Sequence, residues 1–152
     1  MNGNVVSVER KIAAPPQAIF DLLADPAKHS VIDGSGTVKE AKASASRLSQ
    51  GATFGMSMRL GVPYSMVNTV VEFEDNRRIA WQPRMTGPLG RLIGGRVWRY
   101  ELEQVDGGTL VRESWDISSD PLKFMLKRGP VPERTRDNMA KTLERIEDLV
   151  TA

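Results

Sequence analysis

The segment Pro130 to Ala152 constrains the fold more than any other part of the chain. Met139, Leu143, Ile146, Leu149 and Val150 recur at steps of three and four residues, while Arg136, Lys141, Glu144, Arg145, Glu147 and Asp148 occupy the other sides. That spacing predicts a long helix with one buried stripe. Gly129 and the prolines at 130 and 132 mark its start, because a proline fits a first helical turn, where its missing N–H is not needed. Such a stripe needs an apolar surface to lie on, so the rest of the chain must supply one.

Most of the preceding sequence alternates with the period of strands. In Val5 to Ile12, Val6, Val8 and Ile12 fall on one side and Ser7, Glu9 and Lys11 on the other. Arg10 falls on the apolar side, where it either reaches a partner or marks a frayed end. Pro15 and Pro16 open a short helix over Gln17 to Ala24, which Asp25-Pro26 ends as a second turn begins. The glycines of Asp33 to Gly36 then turn the chain into a weakly patterned strand, Thr37 to Ser44, suited to a sheet edge.

Clearer strands follow. In Ala52 to Leu60, the side chains of Phe54, Met56, Met58 and Leu60 point one way. Tyr64 to Phe73 is apolar on both faces, as a central strand would be, and we expect Val67, Thr69, Val71 and Phe73 inside so that Glu72 and Glu74 meet water. Arg78 to Arg84 places Ile79 and Trp81 on one face, and a glycine-rich stretch from Pro83 to Gly95 fits either a mobile apolar lid or a long hairpin connection. Trp98, Tyr100 and Leu102 alternate with charged residues, and after a turn at Asp106 to Gly108, Val111, Glu113, Trp115 and Ile117 alternate with Arg112, Ser114 and Asp116. Ser119 or Asp120 caps a short helix that leads into the terminal one.

The totals exclude several functions. The chain has 152 residues, no cysteine and a single histidine, so it has no disulfides and cannot assemble a thiolate or His-rich metal site. We expect one domain over residues 1–152, with no cofactor. No apolar run approaches the roughly 20 residues of a membrane span, and no signal peptide opens the chain, so the expected location is cytoplasmic. The net charge of +2 is spread along the sequence without a basic run or a nucleic-acid-reading motif, and no nucleic acid partner is expected.

Strand, two short helices, about six antiparallel strands and a long final helix make an α+β order with helices on one face of a sheet of about seven strands. The stretches APPQAIFDLLADPAKH, IDGSGTV, VVEFEDNRRIAWQ, YELEQVDGGTLVRESWD and KTLERIEDLV make the chain resemble the START-related, Bet v 1-like (SRPBCC) superfamily. Within it, the polyketide cyclase/dehydrase-type bacterial members are the most similar, and IDGSGTV is similar to actinobacterial ones. The resemblance implies a helix-grip fold, in which a curved antiparallel sheet wraps the terminal helix and encloses an apolar cavity. It also implies a hydrophobic or amphipathic small-molecule ligand, lipid or polyketide-like. Fold alone does not choose between a carrier, a cyclase/dehydratase and an interaction module.

On this reading Phe54, Met56, Met58, Trp81, Trp98, Tyr100, Leu102, Val111, Glu113 and Trp115 line the concave face, and Met139 and Leu143 roof it. Methionines and aromatic rings suit an irregular or planar apolar guest. Glu113 would point into apolar space, where desolvation raises a carboxyl pKa, so with Tyr100 it is the candidate acid or base. The alternative is a structural ion pair with Arg10. His29 and Asp33, four residues apart with Ser30 and Ser35 beside them, lack the context of a catalytic triad, so they are expected to make local turn bonds, with His29 at the cavity rim. A third reading has Arg84, Arg91, Arg96, Lys127 and Arg128 dock a protein or transiently a membrane; monomer and homodimer both remain open.

Overall fold

In a computed structural model of the chain, the described residues are 3–34, 38–41, 47–60, 62–88 and 93–152; of these, 38–41, 56–60, 62 and 63 are described by backbone alone. The order is β1 (Val5–Ile12), α1 (Pro16–Leu23), a 3-10 turn (Pro26–Lys28), α2 (His29–Ile32), β2 (Val38–Ala41), β3 (Thr53–Leu60), β4 (Val62–Glu74), β5 (Arg78–Met85), β6 (Val97–Val105), β7 (Gly108–Asp116), α3 (Lys123–Leu126) and α4 (Val131–Thr151). The strands form one seven-stranded sheet in the order β1-β7-β6-β5-β4-β3-β2, antiparallel throughout. This is the helix-grip arrangement expected from the sequence. The helix α4 packs chiefly against β1, and β7, α2 and α1 also touch it.

Periodicity explains the elements. Pro132, Met139, Thr142, Leu143 and Ile146 form the buried side of α4, whereas Leu149, expected in the buried stripe, is 45% exposed. Val150 stays packed on the core. Asp120, not Ser119, caps the turn before α3, its Oδ1 accepting from the Leu122 N–H at 2.8 Å.

In β4 the expected parity is reversed over most of the strand. Val67 is 40% exposed, while Asn68 and Val70 are buried. The cause is a bulge: Val70 opposes Trp81 and Glu72 opposes Ala80, so Val71 is an extra residue that resets the alternation. Only Phe73, beyond the bulge, follows the predicted side, meeting Phe20 edge-on at 5.4 Å. The β5–β6 ladder stops at Trp81, two residues before Pro83, which has no N–H to continue it. The connection therefore begins later than Pro83, because β5 runs to Met85 and the chain returns to it through the Met85 N–H to Ile93 and the Gly95 N–H to Pro83, both at 3.0 Å. Leu89 to Leu92 lie outside the described residues.

The outer face is held by charge. The Arg99 guanidinium forks onto Glu72, with its shortest contact at 2.6 Å, and reaches Asp116 at 3.5 Å. The bond from Arg99 holds the Glu72 carboxyl below its ordinary value. A depressed folded-state pKa stabilises the fold above the unfolded value of 4.5, and the effect is lost as pH falls through that range. Arg99→Met is expected to cost about 1 kcal/mol at neutral pH and less in acid, as read from urea denaturation at the two pH values.

Candidate functional site

The strand register aligns the concave face in cross-strand rows. One row runs Val6, Trp115, Trp98, Trp81, Val70, placing all three tryptophans on adjacent strands. The next runs Val8, Glu113, Tyr100, Ile79, Phe73. Glu113 thus has Val8 and Tyr100 beside it across the sheet, and Val111 and Trp115 on either side along its own strand. A third line joins Pro83, Asn68 and Phe54, and the backbone places Met56 opposite Met66 and Met58 opposite Tyr64. The side chains of Met56 and Met58 lie outside the described residues.

The aromatic rings pack in series. His29 stacks on Trp81 with ring centres 4.6 Å apart, Phe54 meets both edge-on, and Trp81 leans on Tyr100 at 5.4 Å. Trp98 and Trp115 lie 6.5 Å apart. Phe54, Trp81, Tyr100, Val111, Glu113, Trp115, Met139 and Leu143 are buried, and Trp98 is half-buried. Leu143 belongs to the cluster holding Tyr100 and Val111, and Met139 to a second cluster with Val6, Trp115 and Ile117.

His29, expected at a rim, lies inside. The one-turn α2 swings its ring onto Trp81, and its Nε2–H donates to the Leu23 carbonyl at 2.9 Å. Burial pushes its pKa down, only partly offset by that bond, so the ring is held neutral. The stretch after α2 is fixed to α4: the Gly34 N–H donates to Thr142 Oγ1 at 2.9 Å, and Arg145 donates to the Asp33 carbonyl.

Glu113 is the polar centre of the face, 3% exposed, and its Oε1 has no hydrogen-bond partner among the described residues. Burial pushes its carboxyl well above its ordinary value, against the opposing effect of a hydrogen bond with the Tyr100 hydroxyl. Burial likewise raises the Tyr100 phenol, and the negative field of Asp33 adds to both shifts. The alternative pairing of Glu113 with Arg10 does not form. Arg10 opposes Val111, one row away, and its guanidinium turns to Glu147 of α4, with Nη2 to Oε1 at 2.7 Å. Arg10 therefore has a partner rather than a frayed strand end.

The sequence reading missed Asn68, buried on the concave side between Phe54 and Pro83. Only the bulge at Val71 could have pointed to it. On the outer face, a groove of about 270 Å³ is lined mainly by charged residues that pair with one another, including Arg78 with Glu101 and Arg112 with Glu9. The paired charges neutralise one another. Of the surface cations expected to dock a partner, Arg96 is committed to the buried Asp120 at 3.1 Å, and Arg91 lies outside the described residues. Among the described residues no helix is long and apolar enough to cross a membrane.

Comparison with known proteins agrees with this architecture. Over 113 residues the chain is 34% identical to the uncharacterized protein Rv0088 of Mycobacterium tuberculosis; the match covers 73% of this chain and 46% of that one. The chain therefore spans about half the length of the curated relatives it matches. Among solved structures, protein CV1439 of Chromobacterium violaceum superposes with a TM-score of 0.73 at 17% identity, covering 98% of each chain. Protein Ms6760 of Mycobacterium smegmatis superposes at 0.72 and 15% identity, over 99% of this chain and 92% of that one. The mycobacterial matches accord with the actinobacterial character of the IDGSGTV stretch. A family profile described as polyketide cyclase / dehydrase and lipid transport matches residues 4–151, and the chain belongs to that family.

Proposed function

We propose that the chain binds a hydrophobic small molecule with one neutral polar end, between the concave sheet face and α4. The observation that carries this is Glu113: a buried carboxyl with an unpartnered oxygen, set beside a tyrosine hydroxyl in a wall of aromatic and aliphatic side chains. A buried polar atom without a partner costs about 1–3 kcal/mol, and a guest hydroxyl or carbonyl would relieve that cost. Among the described residues, Asp33 sets a negative field at this end of the face. The guest's polar end is therefore a hydroxyl or ketone in preference to a carboxylate or phosphate.

A cyclase or dehydratase is the second reading, favoured by the same acid. In an intramolecular aldol closure, Glu113 would give its proton to the ketone oxygen as the carbon–carbon bond forms. The enol proton would then return to the carboxylate, leaving the residue as it began. Confinement by the aromatic wall would hold the reacting carbons together.

Titration with hydroxylated and ketone-bearing polycyclic compounds, followed by tryptophan fluorescence and native mass spectrometry, tests the binding reading. Saturable quenching with a mass increment of one guest is expected, and it should be weaker by about tenfold or more for the matching carboxylic acids. Equal binding of acids and alcohols, or no response across the series, would defeat it.

A further inference from the structure

The most exposed large apolar side chains among the described residues stand together on one turn. Phe124 is 67% exposed and Met125 is 70% exposed, with Leu122 partly exposed beside them. The remaining apolar residue of α3, Leu126, faces inward onto the cluster of Val6, Trp115, Ile117 and Met139. The turn therefore has an anchored side and an outward tip. The tip is ringed by positive charge: the ammonium groups of Lys123 and Lys127 lie 5.4 and 5.8 Å from the centre of the Phe124 ring. Between Pro121 and Arg136 the cations Lys123, Lys127, Arg128, Arg134 and Arg136 face a single acid, Glu133. Arg128, Arg134 and Arg136 are exposed.

From this arrangement we propose that the α3 turn docks on an anionic lipid surface, with Phe124 and Met125 entering the headgroup boundary and the surrounding cations meeting lipid phosphates. An apolar wedge surrounded by lysine and arginine has the chemistry of an interfacial anchor. The two lysines stand beside the ring, and their long stems can carry the charges outward while the ring goes in. A protein partner fits less well, because two protruding side chains fall far short of the roughly 1,000 Å² a stable interface needs. A second copy fits less well again, since a two-fold contact would set Lys123, Lys127 and Arg128 against their own copies.

The turn also adjoins the concave face. Leu126 and the half-buried Trp98 pack on the same cluster, and Pro121 and the Ser119 carbonyl border Gly95 at the base of the loop after β5. The docking inference does not depend on which guest the concave face holds.

The test uses the whole chain and vesicles of phosphatidylcholine with or without about 30% phosphatidylglycerol. Because the chain contains no cysteine, Phe124→Cys gives one attachment point for a polarity-sensitive dye. Its emission should shift blue with the anionic vesicles, remain unchanged with phosphatidylcholine alone, and revert in about 0.5 M salt. In unlabelled protein, Phe124→Ser with Met125→Ser should lower vesicle affinity by about tenfold or more. The melting temperature and guest-induced fluorescence change should stay as in the native chain, because both residues are exposed. Lys123→Gln, Lys127→Gln and Arg128→Gln together should abolish the preference for phosphatidylglycerol. Absence of binding to anionic vesicles in low salt would overturn the proposal, as would native-like binding by the serine variant. Sedimentation showing that the tip is instead buried between two copies of the chain would overturn it equally.

Discussion

Glu113→Gln is expected to melt higher than the native chain at neutral pH, with an advantage that widens as pH rises from about 4.5, the ordinary glutamate value. Below that value the carboxyl is protonated in both the folded and the unfolded chain, and titration separates the two proteins little. Above it the unfolded chain releases the proton and its carboxylate is solvated, whereas burial keeps the folded chain protonated until its own raised pKa is reached. The native fold therefore loses stability with rising pH across that window. This is the reverse of Glu72, whose bond to Arg99 contributes stability above its unfolded value. Glutamine removes the loss while keeping the shape and a partner for the Tyr100 hydroxyl. The gain should reach about 1–3 kcal/mol at neutral pH, since stability falls by roughly 1.4 kcal/mol for each pH unit over which only the unfolded chain has released the proton. Thermal melts of both proteins between about pH 4 and 8 measure it. A constant difference across that range would mean that Glu113 does not titrate from a buried site. The same variant should lose most of the stabilisation conferred by a hydroxylated guest, because stability given up at an unmet carboxyl is what a ligand-binding position retains.

The parts of the fold that were legible in the sequence are those that a two- or 3.6-residue period determines alone. Val6, Trp81, Trp98, Trp115 and Glu113 face inward because each lies on a regular strand, and Met139, Leu143 and Ile146 do so because they share one side of a regular helix. What was not legible required a partner or an irregularity. Val71 shifts the period of β4 by one residue, which sends Val67 to solvent and Asn68 inward, and no local composition marks such a bulge. Arg10 was ambiguous because its ion pair crosses from the first strand to the last helix. The ring of His29 goes inward because the α1–α2 connection sets it against Trp81, a contact made between distant segments. Leu149 fits the stripe by spacing, yet it lies near the end of α4 and stays partly in water. Within the candidate site, the inward placement of Trp81, Tyr100, Glu113 and Trp115 was legible; the stacking of His29 on Trp81 was not.

Gly34→Ala is expected to destabilise the chain by about 3 kcal/mol, the upper part of the range for overpacking a close contact. The reason is proximity and not backbone shape, since Gly34 is absent from the glycines with positive φ. A β-carbon there would overlap the Asn138 carbonyl oxygen and stand 2.8 Å from both Lys141 Cβ and the Thr142 nitrogen. Two of these neighbours are helix backbone, which cannot rotate away, so the stretch after α2 would have to lift off α4. Lifting would break the Gly34 N–H bond to Thr142 Oγ1 and strain the neighbouring bond from Arg145 to the Asp33 carbonyl. Thr142→Val separates the two causes, because it removes the accepting oxygen at nearly constant volume and should cost only about 1 kcal/mol. The steric part should also reach the binding face. His29 is five residues upstream and stacked on Trp81, so releasing Gly34 should loosen that stack and shift tryptophan emission in the folded variant, while Thr142→Val leaves it unchanged. Urea denaturation with emission spectra of the three proteins measures both effects. If Gly34→Ala cost no more than Thr142→Val and kept the native spectrum, α2 would not be held to the concave face through its dock on α4.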